Sequence, residues 1–189
     1  MSAGDALRRG LRRLAEDREA AWRLVGIGVT LAIFFGLLSA FYLPDDLLFP
    51  NSDFENGSLQ NWIPAEKAFL NQPTFGDNSY YRNRGSSHLV GNYYAASFEN
   101  RPTEYQAKGS AQGEEPVGRL VSVPFKIRRR HITFLLGGGD DSQREVVMLL
   151  VDGRVMLVAK GQGIYTGGER MIRVDWDVSR WKGADAQII

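Results

Sequence analysis

An uncharged apolar run from Leu24 to Leu43 constrains this 189-residue chain more than any other feature of it. Twenty residues form a helix of about 30 Å, which matches the hydrocarbon thickness of a bilayer. Arg23 precedes the run, and two aspartates follow it after a proline. The sequence therefore predicts a basic helical tail at 1–23, a transmembrane helix at 24–43, a linker at 44–52 and a separate domain at 53–189.

Charged and aromatic residues around the run predict its orientation. The six arginines of the tail outnumber its four acidic residues, and positive charge beside a span stays in the cytoplasm. Trp22 and Arg23 at one end, and Phe41 and Tyr42 at the other, would anchor the helix in membrane lipid. We expect a bacterial inner-membrane protein that crosses once, with its C-terminal domain periplasmic or extracellular. The alternative is a cleaved signal peptide, but the run is longer than the usual segment of about 7–15 residues.

Composition argues against several function classes. The chain has no cysteine, so it has no disulfide and no thiolate nucleophile or metal ligand. Outside the tail, 17 basic residues stand against 18 acidic ones, which disfavours nucleic-acid binding. The sequence has no phosphate-binding loop and no nucleophile elbow, and its carboxylate pairs, Asp140-Asp141 and Asp175/Asp177, are more typical of solvated loops and strands. We therefore expect no enzymatic activity.

Residues 53–189 show short apolar runs separated by turn signals, which is typical of an antiparallel β-sandwich. The strongest signal is Asp152-Gly153 between Val146–Val151 and Arg154–Ala159, because an Asp-Gly pair favours a tight type I′ hairpin. Other predicted strands are Tyr93–Phe98, Gly118–Val123, His131–Leu136, Met171–Val178 and Ala184–Ile189. The segment from Pro64 to Gly91 is expected to form long loops and short strands.

Five stretches, in order, resemble a β-sandwich accessory domain found beside the catalytic domain of levanase-type fructan hydrolases, in the galactose-binding-like jelly-roll group. The stretches are Asp53–Gly57 with Trp62, Gly118–Ser122 with Pro124 and Phe125, Phe134–Gly139, Leu149–Gly153 and Asp175–Ser179. The resemblance implies an all-β, antiparallel jelly-roll-like β-sandwich, here preceded by one N-terminal transmembrane α-helix. It also implies that Phe54, Trp62, Phe134 and Trp176 are core aromatics. The family usually continues past this point, so either the chain is incomplete at Ile189 or something else covers that edge.

A structural calcium ion is the one cofactor that the resemblance implies. In related jelly rolls a Phe-Glu-x-Gly opening often helps to hold calcium, which would place Glu55 and Asp53 near the metal. The alternative is a turn that Asp and Asn side chains stabilise.

Two partner hypotheses remain for the domain. We favour an accessory or scaffold subunit of a larger membrane complex, respiratory or photosynthetic for example, and sugar binding to fructan or another glycan is the alternative. If the two tyrosine pairs lie in strands, one ring of each pair points inward. The arginine run would contact acidic lipid or an acidic partner, or form a solvated loop. The candidate contact residues are Tyr80, Tyr81, Arg82, Arg84, Asn92, Tyr93, Tyr94, Arg128, Arg129 and Arg130.

Overall fold

The computed structural model describes residues 47–163 and 169–189. The tail at 1–23, the transmembrane helix at 24–43 and its anchor residues lie outside the described residues, so those expectations stay predictions. Within the described ranges, no helix is long and apolar enough to cross a membrane.

The described part of the chain is all-β, and its strands pair antiparallel. The prediction of an antiparallel all-β domain is therefore confirmed. Short 3-10 helices cover Ser79–Arg82 and Ser179–Trp181. The strands in chain order are β1 Trp62–Glu66, β2 Thr74–Phe75, β3 Tyr93–Tyr94, β4 Gly118–Ser122, β5 Phe125–Lys126, β6 His131–Leu136, β7 Val146–Val151, β8 Arg154–Lys160, β9 Ile172–Asp177 and β10 Asp185–Ile188.

The largest sheet has the strand order β5-β10-β7-β8. Its β7–β8 hairpin is the predicted one: Asp152 and Gly153 have φ values of 49° and 75°, the left-handed region that a type I′ turn requires. The chain bends between β4 and β5, and there Ser122 Oγ accepts a hydrogen bond from the Ile188 N–H at 2.9 Å. The Ser122 side chain thus accepts from a backbone N–H of β10, and this hydrogen bond connects β4 and its partner β1 to the largest sheet.

The β6–β9 pair alternates strictly between exposed and inward-facing side chains, as two half-buried strands should. On the inner face Ile132 lies opposite Trp176, and Phe134 lies opposite Val174. The Phe134 and Trp176 rings meet edge to face, with 4.8 Å between their centroids. The strand bounds predicted for β6 are confirmed.

One hydrophobic core takes side chains from the large sheet and from the β6–β9 pair, which gives a sandwich-like arrangement. Trp62 and Phe134 pack against this core, and Phe54 stacks on Trp62 at 4.8 Å. Of the four predicted core aromatics, Trp176 therefore lies in the core, Trp62 and Phe134 pack against it, and Phe54 lies on Trp62. The buried members are Phe49, Phe125, Ile127, Ile132, Leu149, Val151, Trp176, Val178, Ala186 and Ile188.

Residues 47–52 pack on the domain, although the sequence predicts a linker at 44–52. Phe49 is 4% exposed, and its ring lies 5.2 Å from that of Trp62 and 5.5 Å from that of Phe125. The buried Asn51 side chain donates to two carbonyl oxygens of the following turn. The folded domain therefore begins before Asp53.

The strand predicted at Tyr93–Phe98 ends after Tyr94, so this prediction is wrong for residues 95–98. Side chains satisfy part of the backbone there, and the Phe98 carbonyl oxygen accepts from the Gln112 and Gly113 N–H groups. Gln72 Oε1 accepts from the Ala96 N–H at 3.0 Å, and Gln112 Nε2 donates to a carbonyl oxygen of the same segment. The segment after β3 is consequently a loop that two glutamines hold.

Candidate ligand-binding surface

Tyr80 and Tyr81 are exposed neighbours on the 3-10 helix Ser79–Arg82. The two residues are 62% and 46% exposed, and their rings meet edge-on with 5.8 Å between centroids. The inward orientation expected for one ring of the pair applies only to a strand. A 3-10 helix turns by about 120° per residue, so both rings can face solvent.

Asn78, buried just before this helix, fixes it to the loop that follows β3. Its Nδ2 donates to Glu99 Oε2 at 2.5 Å and to the Ser110 carbonyl oxygen at 2.8 Å. Its Oδ1 accepts from the Gly109 N–H at 2.7 Å. One amide therefore ties the start of the 3-10 helix Ser79–Arg82, which we call the tyrosine helix, to both ends of the loop between Glu99 and Ser110.

Arg82 ties the end of the same helix to a buried carboxylate. Its guanidinium donates to both oxygens of Glu99 at 2.8–3.1 Å and to Glu169 at 3.0 Å, and it lies 4.7 Å from the Phe98 ring centroid. Glu99 is 2% exposed, and burial raises its pKa although the Asn78 hydrogen bond and the Arg82 charge act against this. Arg82, a predicted contact residue, thus has its charged end inside the domain.

The tyrosines of β3 also lie largely inside. Burial raises the pKa of the Tyr94 phenol, and the nearby carboxylates of Glu99 and Glu169 raise it further. Tyr93 is half-buried, with its ring 5.3 Å from that of Phe75. Of the two predicted tyrosine pairs, Tyr80 and Tyr81 therefore form the exposed one.

Asp77 holds the turn that follows the helix. Its carboxylate accepts from Ser79 Oγ at 3.0 Å, from Ser86 Oγ at 2.7 Å and from the Ser87 N–H at 3.0–3.1 Å. Burial alone would raise the pKa of Asp77, but the serine hydrogen bonds outweigh burial and hold that pKa below its ordinary value. The helix is thus fixed from its start, from its end and from the turn beyond it.

Arg101, which is 4% exposed, organises the middle of the same loop, between Glu99 and Ser110. Its guanidinium donates to three backbone carbonyl oxygens, that of Phe75 at 2.6 Å among them, and lies 6.0 Å from the Tyr81 ring centroid. The loop carries Tyr105, which is 90% exposed, and Lys108, whose Nζ lies 4.8 Å from the Tyr81 ring centroid. We call Tyr80, Tyr81, Tyr105 and Lys108 the tyrosine surface.

The tyrosine surface offers flat apolar rings edged by hydroxyl and ammonium groups, which suits stacking combined with hydrogen bonding. Arg84 and Asn92, two other predicted contact residues, are exposed as well. The sequence did not single out Tyr105 or Lys108, because a lone tyrosine and a lone lysine in a polar loop carry no pattern. Across residues 47–163 and 169–189 no group of His, Cys, Asp and Glu could hold a metal ion.

Glu55 and Asp53, the residues predicted to bind calcium, accept hydrogen bonds from N–H groups. The Glu55 carboxylate accepts from the backbone N–H groups of Asn92 and Tyr93 at 2.9–3.1 Å. Asp53 Oδ1 accepts from the Glu55 N–H at 3.3 Å. A calcium shell holds about six to eight oxygens, whereas Glu55 faces nitrogen donors, so the described residues do not form such a shell. The geometry matches a turn that polar side chains stabilise, and calcium binding stays a prediction.

The arginine run Arg128–Arg130 is exposed between β5 and β6. Directly after it, His131 Nδ1 lies 2.7 Å from Asp175 Oδ1 on the outer face of the β6–β9 pair. Asp175 and Asp177 are both exposed on that face, as their spacing along one strand predicts. These charged groups form a solvated face of the pair.

No family model matches this chain, and no solved structure matches it. Among curated proteins the chain is similar to ecdE of Aspergillus rugulosus, which is named as a glycosyl hydrolase; the two are 34% identical over 76 residues. The matched region covers 40% of this chain and 10% of that protein. The chain therefore spans about a tenth of the length of the curated relative that it matches.

Proposed function

We propose that this protein is a non-catalytic binding module that recognises glycans through the tyrosine surface. The observation that carries the proposal is the exposed pair Tyr80 and Tyr81 on a helix that Asn78 and Arg82 hold in place. Aromatic rings give a large contact area at a low cost in conformational entropy, and a fixed backbone lowers that cost further.

The local similarity to a protein named as a glycosyl hydrolase supports the same ligand class. A matched stretch of 76 residues, a tenth of that protein, has the size of a small accessory domain. The resemblance to levanase-associated domains points the same way. Together they favour sugar recognition over docking to an unrelated subunit.

The positions of the carboxylates support binding without hydrolysis. Most glycoside hydrolases place two carboxyl groups on either side of the bond that they cleave. Glu99 and Glu169 share the Arg82 guanidinium, but Glu99 is 2% exposed and out of reach of a sugar ring. Asp175 and Asp177 lie on an exposed strand face.

For the architecture we propose a jelly-roll-type β-sandwich of the galactose-binding-like group, anchored by a transmembrane helix at 24–43. The core shared by the large sheet and the β6–β9 pair supports the sandwich. The uncharged run and its basic flank support the anchor, with the domain periplasmic or extracellular. On this proposal the membrane holds the tyrosine surface outside the cytoplasm.

Binding of the full chain, in mild detergent, to an array of fructans and other glycans tests the proposed function. We expect wild type to bind at least one glycan, Tyr80→Ala to weaken that binding by about tenfold or more, and Tyr80→Phe to retain most of it. Val155→Ala, at an exposed residue of β8, is the matched control. Absence of glycan binding, or unchanged binding by Tyr80→Ala, contradicts the proposal.

A second candidate function is the accessory or scaffold subunit of a larger membrane complex. An exposed apolar strip on β8 favours it, because Val155, Met156 and Val158 are 52%, 37% and 53% exposed. Within the described residues β8 pairs with β7 alone, and exposed apolar strand edges are typical interaction sites. The test is whether the wild-type chain co-migrates with a large complex in mild detergent. Co-migration that is lost in Val158→Lys supports this function, and a wild-type chain that migrates alone contradicts it.

A further inference from the structure

Two cations, Lys108 and Arg101, lie beside the ring of Tyr81. Lys108 Nζ lies 4.8 Å and the Arg101 guanidinium carbon 6.0 Å from the ring centroid. Arg101 donates to backbone carbonyl oxygens, and in the described part of the chain Lys108 makes no ion pair. The exposed Lys108 ammonium therefore remains available to a charged ligand, whereas the Arg101 guanidinium is buried.

The acidic groups near the tyrosine helix are mostly occupied. Glu99 is bound by Arg82 and Asn78, and the hydrogen-bond capacity of Asp77 is used by serines. Glu104 is the exposed carboxylate on the Tyr105 loop, and it opposes the cations in part. Exposed Arg84 follows the helix and adds to the positive side. The exposed Lys108 ammonium is therefore a charge that a ligand beside Tyr81 can reach.

We propose that the tyrosine surface selects anionic glycans, those that carry uronate or sulfate groups, over neutral ones. This inference rests on the proposed function. A sugar ring stacks on the exposed Tyr80, and its acid group reaches the ammonium of Lys108 beside Tyr81. Hydrogen bonds between ionised partners are shorter and stronger than neutral ones, and salt screens the attraction of exposed charges. The selectivity should therefore fall as ionic strength rises.

Calorimetric titration of the full chain in mild detergent with oligogalacturonate and with its uncharged methyl ester tests the inference. We expect the acid form to bind about tenfold more tightly at about 50 mM salt, with a smaller ratio at about 300 mM. Lys108→Gln should bring the ratio close to one, because the acid form loses more affinity than the ester does. Lys182→Gln, at an exposed lysine after β9, should keep the wild-type ratio and serves as the matched control.

Three other results of the titration would overturn the proposed selectivity for anionic glycans. Equal affinities for the two forms, a ratio that Lys108→Gln leaves unchanged, or no binding of either form all contradict it. The glycan array separates this failure from failure of the proposed function. If neutral glycans bind on the array, the proposal of glycan recognition stands and only the charge selectivity fails. If no glycan binds on the array, both proposals fail.

Discussion

Glu99 is the residue on which the position of the tyrosine helix depends most directly. It is buried, and it accepts hydrogen bonds from Arg82 at one end of that helix and from Asn78 at the other. Removal of the Glu99 carboxylate leaves the buried Asn78 amide and part of the Arg82 guanidinium without an acceptor, although Glu169 still pairs with Arg82, and an unsatisfied buried donor costs about 1–3 kcal/mol. We expect Glu99→Ala to lower the free energy of unfolding in urea by about this amount, and Glu99→Gln to lower it less because Gln keeps the volume and an acceptor.

Glu104→Ala is the matched control for this prediction, because Glu104 is exposed on the adjacent loop. Exposed substitutions usually change the free energy of unfolding by at most about 0.5 kcal/mol. Equal effects of the two alanine substitutions would show that Glu99 does not hold the helix.

Asp77 should make the free energy of unfolding of the domain fall as the pH becomes acidic. Its native pKa lies below the reference value of 3.8, so its contribution is complete above that value and is lost as the pH falls through the native pKa. Glu99 has the opposite sign, because its raised native pKa gives stability that is lost as the pH rises through that pKa. We expect the difference in free energy of unfolding between wild type and Asp77→Asn to be constant above about pH 5 and to shrink below about pH 4. A difference that is constant down to pH 2 contradicts the role of the serine hydrogen bonds.

Gly91 allows the Glu55 carboxylate to reach the backbone of Asn92. A Cβ at Gly91, where φ is 92°, would lie 2.3 Å from Glu55 Oε1, whereas a Cβ at Gly85, where φ is 78°, would meet nothing within 4 Å. Both alanine substitutions carry the cost of a positive φ, but only Gly91→Ala displaces Glu55. We expect Gly91→Ala to be less stable than Gly85→Ala by at least about 1 kcal/mol in thermal unfolding.

The same melts also test Glu55 as a calcium ligand. Calcium binding would raise the melting temperature of wild type relative to EDTA, and Glu55→Gln would abolish the rise. For the glycine prediction itself, equal melting temperatures of Gly91→Ala and Gly85→Ala would show that the contact between Glu55 and Asn92 adds no stability.

At the residue level the sequence predicted exposure better than it predicted partners. Tyr80 and Tyr81 were singled out as contact residues, and they are exposed. Arg82 belongs to the predicted contact cluster because it follows the two tyrosines in the sequence, and nothing local to it indicates a buried glutamate 17 residues away. Pairings across that distance depend on how the loops fold back, which periodicity does not encode.

At the level of elements, a strand was predictable where local turn chemistry or alternation defines it. Asp152-Gly153 specified the β7–β8 hairpin, and alternation specified β6 and β9. β1 was missed because it contains Pro64, which cannot donate to a ladder. Its place at an edge, paired with β4 alone among the described strands, explains how the proline is tolerated.

β7 is the strand whose packing should matter most for stability, because it lies inside the largest sheet between β10 and β8. Leu149 at its centre is 0% exposed, and large-to-small changes at such sites cost about 3 kcal/mol or more. We expect Leu149→Ala to lower the free energy of unfolding by about that amount in urea. Leu135→Ala, at a residue of β6 that is 37% exposed, should cost less than about 1 kcal/mol, and the reverse order would contradict the placement of the core.

The whole molecule has a sandwich-like domain that carries the exposed tyrosine surface, and its sequence predicts a membrane anchor. The core of the domain follows from alternation and turn signals that the sequence displays. The tyrosine surface required the structure, since it joins a helix at 79–82 to a loop at 101–109 through Arg101 and Asn78. Glycan recognition at this surface is the central claim.

Nuclear magnetic resonance of the full chain in detergent, with tyrosine rings labelled selectively, tests that claim most directly. During titration with a glycan selected on the array, we predict shifts of the Tyr80, Tyr81 and Tyr105 ring signals and unchanged signals for the inward Tyr93 and Tyr94. Signals that all stay unchanged, or shifts as large for Tyr93 and Tyr94 as for the exposed rings, would contradict recognition by the tyrosine surface.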